Sequence, residues 1–174
     1  IDAAAENVTV NAKSVTLSGD IGGNDISVTA TSGVISAAGQ NIVAVDGGTI
    51  TLSATGPVRA ATVHIDVADI DAGEDIVISG NDVDITSTIK AHDVTLTATN
   101  DSETSTLGGA LTVGGDLKFT DGGWDVNAAV GVTGTLTISG DAEVDVAGGV
   151  VTATAGVVIT STNDVDFEGT LITP

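Results

Sequence analysis

The chain is dominated by short apolar–polar–apolar triplets, which are separated by turns that contain Gly, Asn or Asp. Val15-Thr16-Leu17, Ile50-Thr51-Leu52 and Leu136-Thr137-Ile138 are typical. Alternation with a period of two is the pattern of a β-strand that buries one face. Successive triplets follow one another closely in most places, and the hairpin dipeptide Asp-Gly occurs only at Asp46-Gly47 and Asp121-Gly122. This spacing is tight for antiparallel hairpins, which disfavours sandwich and barrel folds.

A longer repeat is visible in three near-copies of one segment, which begin at Asp25, Thr49 and Asp93. The first interval between their starts is one repeat unit, and the second is about two such units. A repeat of roughly 20–24 residues that holds three short strands predicts an all-β fold, a parallel β-solenoid whose coils bury their inward residues against each other. We expect about eight coils and a rod of roughly 40 Å, because paired strands lie about 4.8 Å apart. No change in composition divides the chain, so residues 1–174 are expected to form a single solenoid domain, a segment or processed product of a longer exported protein.

The alternation also predicts which side chains point inward. The expected core is Val8, Val10, Val15, Leu17, Ile26, Val28, Ile50, Leu52, Ile76, Ile78, Val83, Ile85, Val94, Leu96, Leu136, Ile138, Val144 and Val146. A narrow coil is expected to have no room for large aromatic side chains. Trp124 is therefore expected at a corner, where it packs against other residues or offers a carbohydrate-stacking surface. The polar stretch 100–106 is expected to be a loop outside the coil.

Two strings resemble coils of a known family. AGQNIVAVDGGTITLSATG at residues 38–56 and GVTGTLTISG at residues 131–140 are similar to coils of filamentous-haemagglutinin-type adhesins, the large exoproteins of two-partner secretion. The likeness extends over nearly the whole chain. It implies a right-handed parallel β-helix on the outer surface of a Gram-negative-type cell, where the solenoid serves as an adhesin shaft.

The charge excludes several classes of function. Acidic residues number 24 against 4 basic ones, a net charge of −20, so nucleic acids and anionic membranes are very poor partners. No apolar run approaches the roughly 18 residues that span a bilayer. The absence of cysteine rules out disulfides and thiolate metal sites.

Catalysis is not expected either. The basic residues Lys13, Arg59, Lys90 and Lys118 are widely spaced, His64 and His92 are distant from each other in the sequence, and no Ser/His/Asp arrangement stands out. The sequence favours a non-catalytic extracellular or cell-surface protein whose partner is a host or cell-surface glycan or protein. A subunit that associates with its own copies, end to end or laterally, is the first alternative. A glycan-degrading β-helix enzyme is the less favoured second.

One acidic cluster suggests a metal site. Carboxylate oxygens at this density suit Ca²⁺, which takes six to eight oxygen ligands. The tentative calcium ligands are Asp66, Asp69, Asp71, Glu74 and Asp75. Neither an EF-hand loop nor a Gly-rich calcium nonapeptide is present, so a solvated acidic flank that keeps the rod soluble is the alternative.

The remaining polar residues of the triplets are expected to face solvent. Asp84, Asp145 and Asp166 would then form an outer acidic face. His64 and His92 are expected to be exposed, and on stacked coils they could share one face, although no third metal ligand is evident beside them.

Overall fold

The computed structural model describes residues 1–3, 6–38, 41–44, 48–54, 62–66, 69–71, 74–86, 88–99 and 104–174. For residues 38, 62–66 and 69–71 the description is of the backbone only. These parts of the chain form strands, bends and turns without any helix, and accordingly no helix that could cross a membrane is found there.

Twenty-four strands follow one another in the described residues. They are β1 (Val8–Ala12), β2 (Val15–Leu17), β3 (Ile21–Gly23), β4 (Ile26–Ala30), β5 (Ile35–Ala38), β6 (Ile42–Ala44), β7 (Ile50–Ala54), β8 (Thr62–Asp66), β9 (Asp69–Asp71), β10 (Asp75–Gly80), β11 (Asp82–Ile85), β12 (Thr88–Ala91), β13 (Asp93–Ala98), β14 (Thr104–Leu107), β15 (Leu111–Val113), β16 (Leu117–Thr120), β17 (Gly123–Val126), β18 (Val130–Val132), β19 (Thr135–Ser139), β20 (Glu143–Asp145), β21 (Val150–Ala153), β22 (Gly156–Ile159), β23 (Val165–Asp166) and β24 (Thr170–Ile172).

Every third strand belongs to the same sheet, so three consecutive strands make one coil. Sheet 1 runs β1-β4-β7-β10-β13-β16-β19-β22, sheet 2 runs from β2 to β23, and sheet 3 runs from β3 to β24. Each sheet has eight strands, and its pairings are parallel. The predicted β-solenoid of about eight coils is therefore confirmed. The length of a coil varies, because Val8 is in register with Ile26 in a short coil, whereas Ile50 is in register with Ile76 in a longer one.

The predicted inward positions form the core. All the residues of the predicted set are buried except Val10, which is half-buried in the first coil. The middle residues of the triplets face outward, since Thr9 and Thr16 are exposed and Thr51, Thr95 and Thr137 are half-buried. The phase of the alternation was predicted correctly. Burial of these small apolar side chains between coils is the main stabilising contribution, at roughly 25 cal/mol per Å² of apolar surface.

Large aromatic side chains do fit inside the coil, so the expectation that they would not is wrong. Trp124 and Phe119 are the largest fully buried side chains, with 1% and 2% exposure. The rings meet edge to face, with centroids 5.3 Å apart and planes at 64°. Space for the indole comes from its in-register neighbours Ser105 and Val144, which are small. The indole Nε1 donates a hydrogen bond of 3.0 Å to the carbonyl of Asp121.

The polar stretch 100–106 was also predicted incorrectly in part. Residues 100–103 lie outside the described residues, but Thr104–Leu107 is strand β14 of sheet 2. Ser105 points inward and is fully buried, and its hydroxyl accepts a 3.0 Å hydrogen bond from the Val83 amide. A serine is tolerated in this apolar interior because its polar group is hydrogen-bonded.

Truncation of Trp124 tests the aromatic pair. Trp124→Ala should lower the free energy of unfolding by about 3–5 kcal/mol, because it leaves a large cavity and removes the ring contact with Phe119. Trp124→Phe should cost clearly less, since most of the volume stays filled. Urea unfolding followed by far-UV circular dichroism measures both. Equal losses for the two variants would contradict the packing role.

Candidate functional site

A column of carboxylates runs along the outer side of sheet 2. Asp125, Asp145 and Asp166 occupy in-register positions on three successive coils, about 4.8 Å from strand to strand. The same column continues through Thr106 to Asp84. Asp84 and Asp145 are half-buried and Asp166 is exposed, so the predicted outward direction of these aspartates is correct.

A groove lies beside this column, where Gly123 contributes no side chain between Thr104 and Glu143. Its volume is about 150 Å³, and its lining includes Asp125, Asp141, Glu143, Asp145 and Asn163. One buried oxygen, the Oδ1 atom, of each of Asp141 and Asp145 has no hydrogen-bond partner among the described residues. The carboxylates that line the groove can accept hydrogen bonds from hydroxyl, amide or ammonium groups of a ligand.

A second set of acidic side chains connects successive coils at the start of the sheet-1 strands. Asp93 Oδ1 accepts a 2.6 Å hydrogen bond from the Asp116 amide, and Asp116 Oδ1 accepts one of 2.7 Å from the Thr135 amide. Asn7 and Asp25 begin the same pattern, because Asn7 Oδ1 accepts from the Asp25 amide at 3.2 Å and Asp25 Oδ1 accepts from Thr49 at 3.1 Å. We call this set the corner ladder.

The corner ladder depends on two glycines. A Cβ atom on Gly115 would lie 2.0 Å from Asp93 Oδ1, and one on Gly134 would lie 2.3 Å from Asp116 Oδ1. Each carboxylate reaches across a glycine to the amide beyond it. The sequence signal was available, since Asp or Asn stands immediately before several of the apolar triplets, but no role was predicted for Asp93 or Asp116.

The predicted calcium ligands are spread around one coil. Asp66 ends β8 in sheet 2, Asp69 and Asp71 are the first and last residues of β9 in sheet 3, and Glu74 and Asp75 stand at the start of β10 in sheet 1. The side chains of Asp66, Asp69 and Asp71 lie outside the described part of the structure. Calcium binding by the five carboxylates therefore stays a prediction.

The structure brings together a different set of possible metal ligands, which come from two successive coils. Glu74, Asp75 and His92 each offer one ligand atom, and these atoms all lie within 4.8 Å of one another. Glu74 and His92 are exposed and Asp75 is half-buried. The two carboxylates are among the predicted calcium ligands but the histidine is not, because the average repeat does not reveal that Asp75 and Asp93 are in register across a short coil.

The two histidines do not share one face, so that hypothesis is wrong. His64 lies in β8 of sheet 2, where its in-register neighbour on the next coil is Asp84. His92 immediately precedes β13 of sheet 1. The stretch of chain between them is longer than one coil, which carries His92 past a corner.

Comparison with known proteins gives no relative: no protein-family model, no curated protein and no solved structure matches this chain.

Substitution of Gly115 tests the corner ladder. Gly115→Ala should destabilise the protein by about 2 kcal/mol, since the new methyl group occupies the position of the Asp93 carboxylate and breaks its bond to the Asp116 amide. Gly148→Ala is the matched control, because a Cβ there meets nothing within 4 Å. Thermal and urea unfolding should show the loss in the first variant alone. Similar behaviour of the two variants would argue against a structural role for the ladder.

Neutralisation of one carboxylate tests repulsion within the column. Asp145→Asn should raise the free energy of unfolding by roughly 0.5 kcal/mol at low salt and by less at high salt, because like charges directly opposite each other on paired strands destabilise a sheet. Asp84→Asn is the control, since its in-register neighbours are His64 and Thr106. A loss of stability in Asp145→Asn would show that its carboxylate makes a favourable interaction.

Proposed function

We propose that this protein is a non-catalytic extracellular solenoid. It serves as a shaft whose outer faces bind to a cell surface or to extracellular matrix. The observation that carries the proposal is the continuity of the three eight-stranded sheets. Such an array holds outward side chains at a fixed spacing of about 4.8 Å along a rigid rod. A shaft needs this property, and an extended partner can contact several coils at once.

The outer side of sheet 2 is the proposed contact surface. Asp125 and Asp145 line the groove together with Glu143, and their oxygens can accept hydrogen bonds from hydroxyl groups. A hydroxyl-rich, uncharged or cationic glycan fits this chemistry better than an anionic one, which the net charge of −20 would repel. The sequence resemblance to filamentous-haemagglutinin-type coils supports the same assignment to an adhesin at the outer surface of a cell.

Self-assembly end to end is the second candidate. Val158, Ile159 and Ile172 are 46%, 49% and 47% exposed in the last coil. The strands β22, β23 and β24 form the last rows of sheets 1, 2 and 3, and β1, β2 and β3 form the first rows of the same sheets. A second copy, or a continuation of the same chain, placed on the last coil would continue all three sheets in order and cover the apolar side chains.

A glycan-degrading activity is the less favoured alternative. The groove contains several carboxylates, which glycosidases use in pairs. The same negative charge disfavours polyuronates as substrates. Release of reducing ends from neutral or acidic polysaccharides would support this alternative over an adhesin.

Attachment assays test the main proposal. Beads coated with the purified chain should bind cultured cell layers and immobilised neutral oligosaccharides more than beads coated with an unrelated acidic protein of similar net charge. The double variant Asp125→Asn/Asp145→Asn should reduce attachment several-fold. Glu6→Gln/Glu168→Gln removes the same charge from exposed positions outside the groove and should leave attachment unchanged.

The outcomes separate the candidates. No attachment above the acidic control would overturn the adhesin proposal, and an equal loss in both double variants would overturn the assignment of the groove. Filaments in negative-stain microscopy that disappear in Ile159→Lys would instead support end-to-end assembly.

A further inference from the structure

The corner ladder changes its hydrogen bonding between β10 and β13. Asp75 and Asp93 are in register on these strands, in the same relation as Asp93 and Asp116 one coil later. The Asp93 amide, however, lies 3.4 Å from the carbonyl of Glu74 and donates to it rather than to the carboxylate of Asp75. Among the described contacts the Asp75 carboxylate bonds to no amide of the next coil, so its oxygens are available for another partner.

Glu74 and His92 lie beside the Asp75 carboxylate and offer further ligand atoms. The His92 amide donates a 2.7 Å hydrogen bond to the Glu74 carbonyl, which fixes the two main chains against each other. Ligand atoms from Glu74, Asp75 and His92 lie within 4.8 Å of one another. Two residues come from one coil and the third comes from the next, so an ion held by all three would join the coils.

The histidine ring is oriented by a further carboxylate. His92 Nδ1 lies 3.2 Å from Asp93 Oδ1, and that oxygen is itself anchored by the Asp116 amide at 2.6 Å. Gly115 leaves the space for this arrangement, because a Cβ there would lie 2.8 Å from His92 Cε1. Metal-ligating histidines commonly donate their other ring N–H to such a carboxylate, which leaves the Nε2 lone pair for the metal.

We propose that Glu74, Asp75 and His92 bind a divalent first-row transition ion of the zinc class. One imidazole and two carboxylates form the nitrogen and oxygen ligand set that suits these ions, with water completing the coordination. Calcium prefers oxygen ligands alone and in larger number, so it would make no use of the imidazole. The site therefore differs in chemistry from the five-carboxylate calcium site, although it shares Glu74 and Asp75 with it. The bound metal ion connects the coil that begins with β10 to the coil that begins with β13.

The two histidines of the chain make the test direct. Zn²⁺ titration by calorimetry should show one site per chain, and Zn²⁺ should raise the melting temperature. His92→Ala should weaken Zn²⁺ binding at least tenfold, whereas His64→Ala, the matched control, should bind like the parent. Asp93→Asn should weaken binding about tenfold, since loss of an outer-shell partner of a ligating histidine typically costs 10–100-fold in affinity. The His92 side chain is 58% exposed, so its removal should leave the circular dichroism spectrum unchanged.

A second test uses the unmodified chain, so its result does not depend on whether the variants fold. In NMR spectra of the histidine ring protons, sub-stoichiometric Co²⁺ or Ni²⁺ should broaden the signals of His92 and leave those of His64 unchanged. Equal broadening of both histidines, or unchanged Zn²⁺ affinity in His92→Ala, would overturn the site. Competition by Ca²⁺ at concentrations equal to those of Zn²⁺ would likewise overturn it and would favour an all-carboxylate site. Neither result would bear on whether the shaft mediates attachment.

Discussion

Parallel pairing between successive coils is the interaction on which the rest of this structure depends. A single coil of about 20 residues cannot bury its inward side chains alone, and these side chains are buried largely by the equivalent residues of neighbouring coils. Ile50 shows this arrangement, since it stands in register with Ile26 on one side and Ile76 on the other. In the first coil, where the residues of β1 have such a neighbour in β4 only, Val8 is buried and Val10 is half-buried. The same register that stacks the apolar residues inside also stacks the polar residues outside, so it determines core and surface together.

The sequence predicts most of the fold, because alternation is a local property. Whether a residue such as Leu52 or Ile138 points inward depends on its immediate neighbours, and these positions were predicted correctly. The average length of the repeat likewise predicts the number of coils. Trp124 could not be placed in this way, because the room for an indole depends on Ser105 in the preceding coil, and Ser105 lay in a stretch that was assigned to a loop.

The surface sites were harder to predict for a related reason. The sequence repeat gives only the average length of a coil. Which side chain of the next coil a given residue meets depends on the length of its own coil. Glu74 and His92 are brought together by a short coil, and the Asp93–Asp116 bond requires the exact position of Gly115. Acidic residues that look alike in sequence consequently differ in role. Asp93 and Asp116 connect coils, whereas Asp125 and Asp145 stand in register on paired strands and line a groove.

The orientation of the hydrogen bonds gives the molecule a particular mechanical behaviour. In a solenoid the bonds between coils run along the axis, so tension applied through the chain loads them one row at a time, as in a zipper. A coil of roughly 20 residues that detaches releases about 70 Å of extended chain, at about 3.3–3.6 Å per residue. A solenoid built in this way would lengthen in steps under a sudden pull while the remaining coils stay folded, and this stepwise release would limit the peak force along the chain.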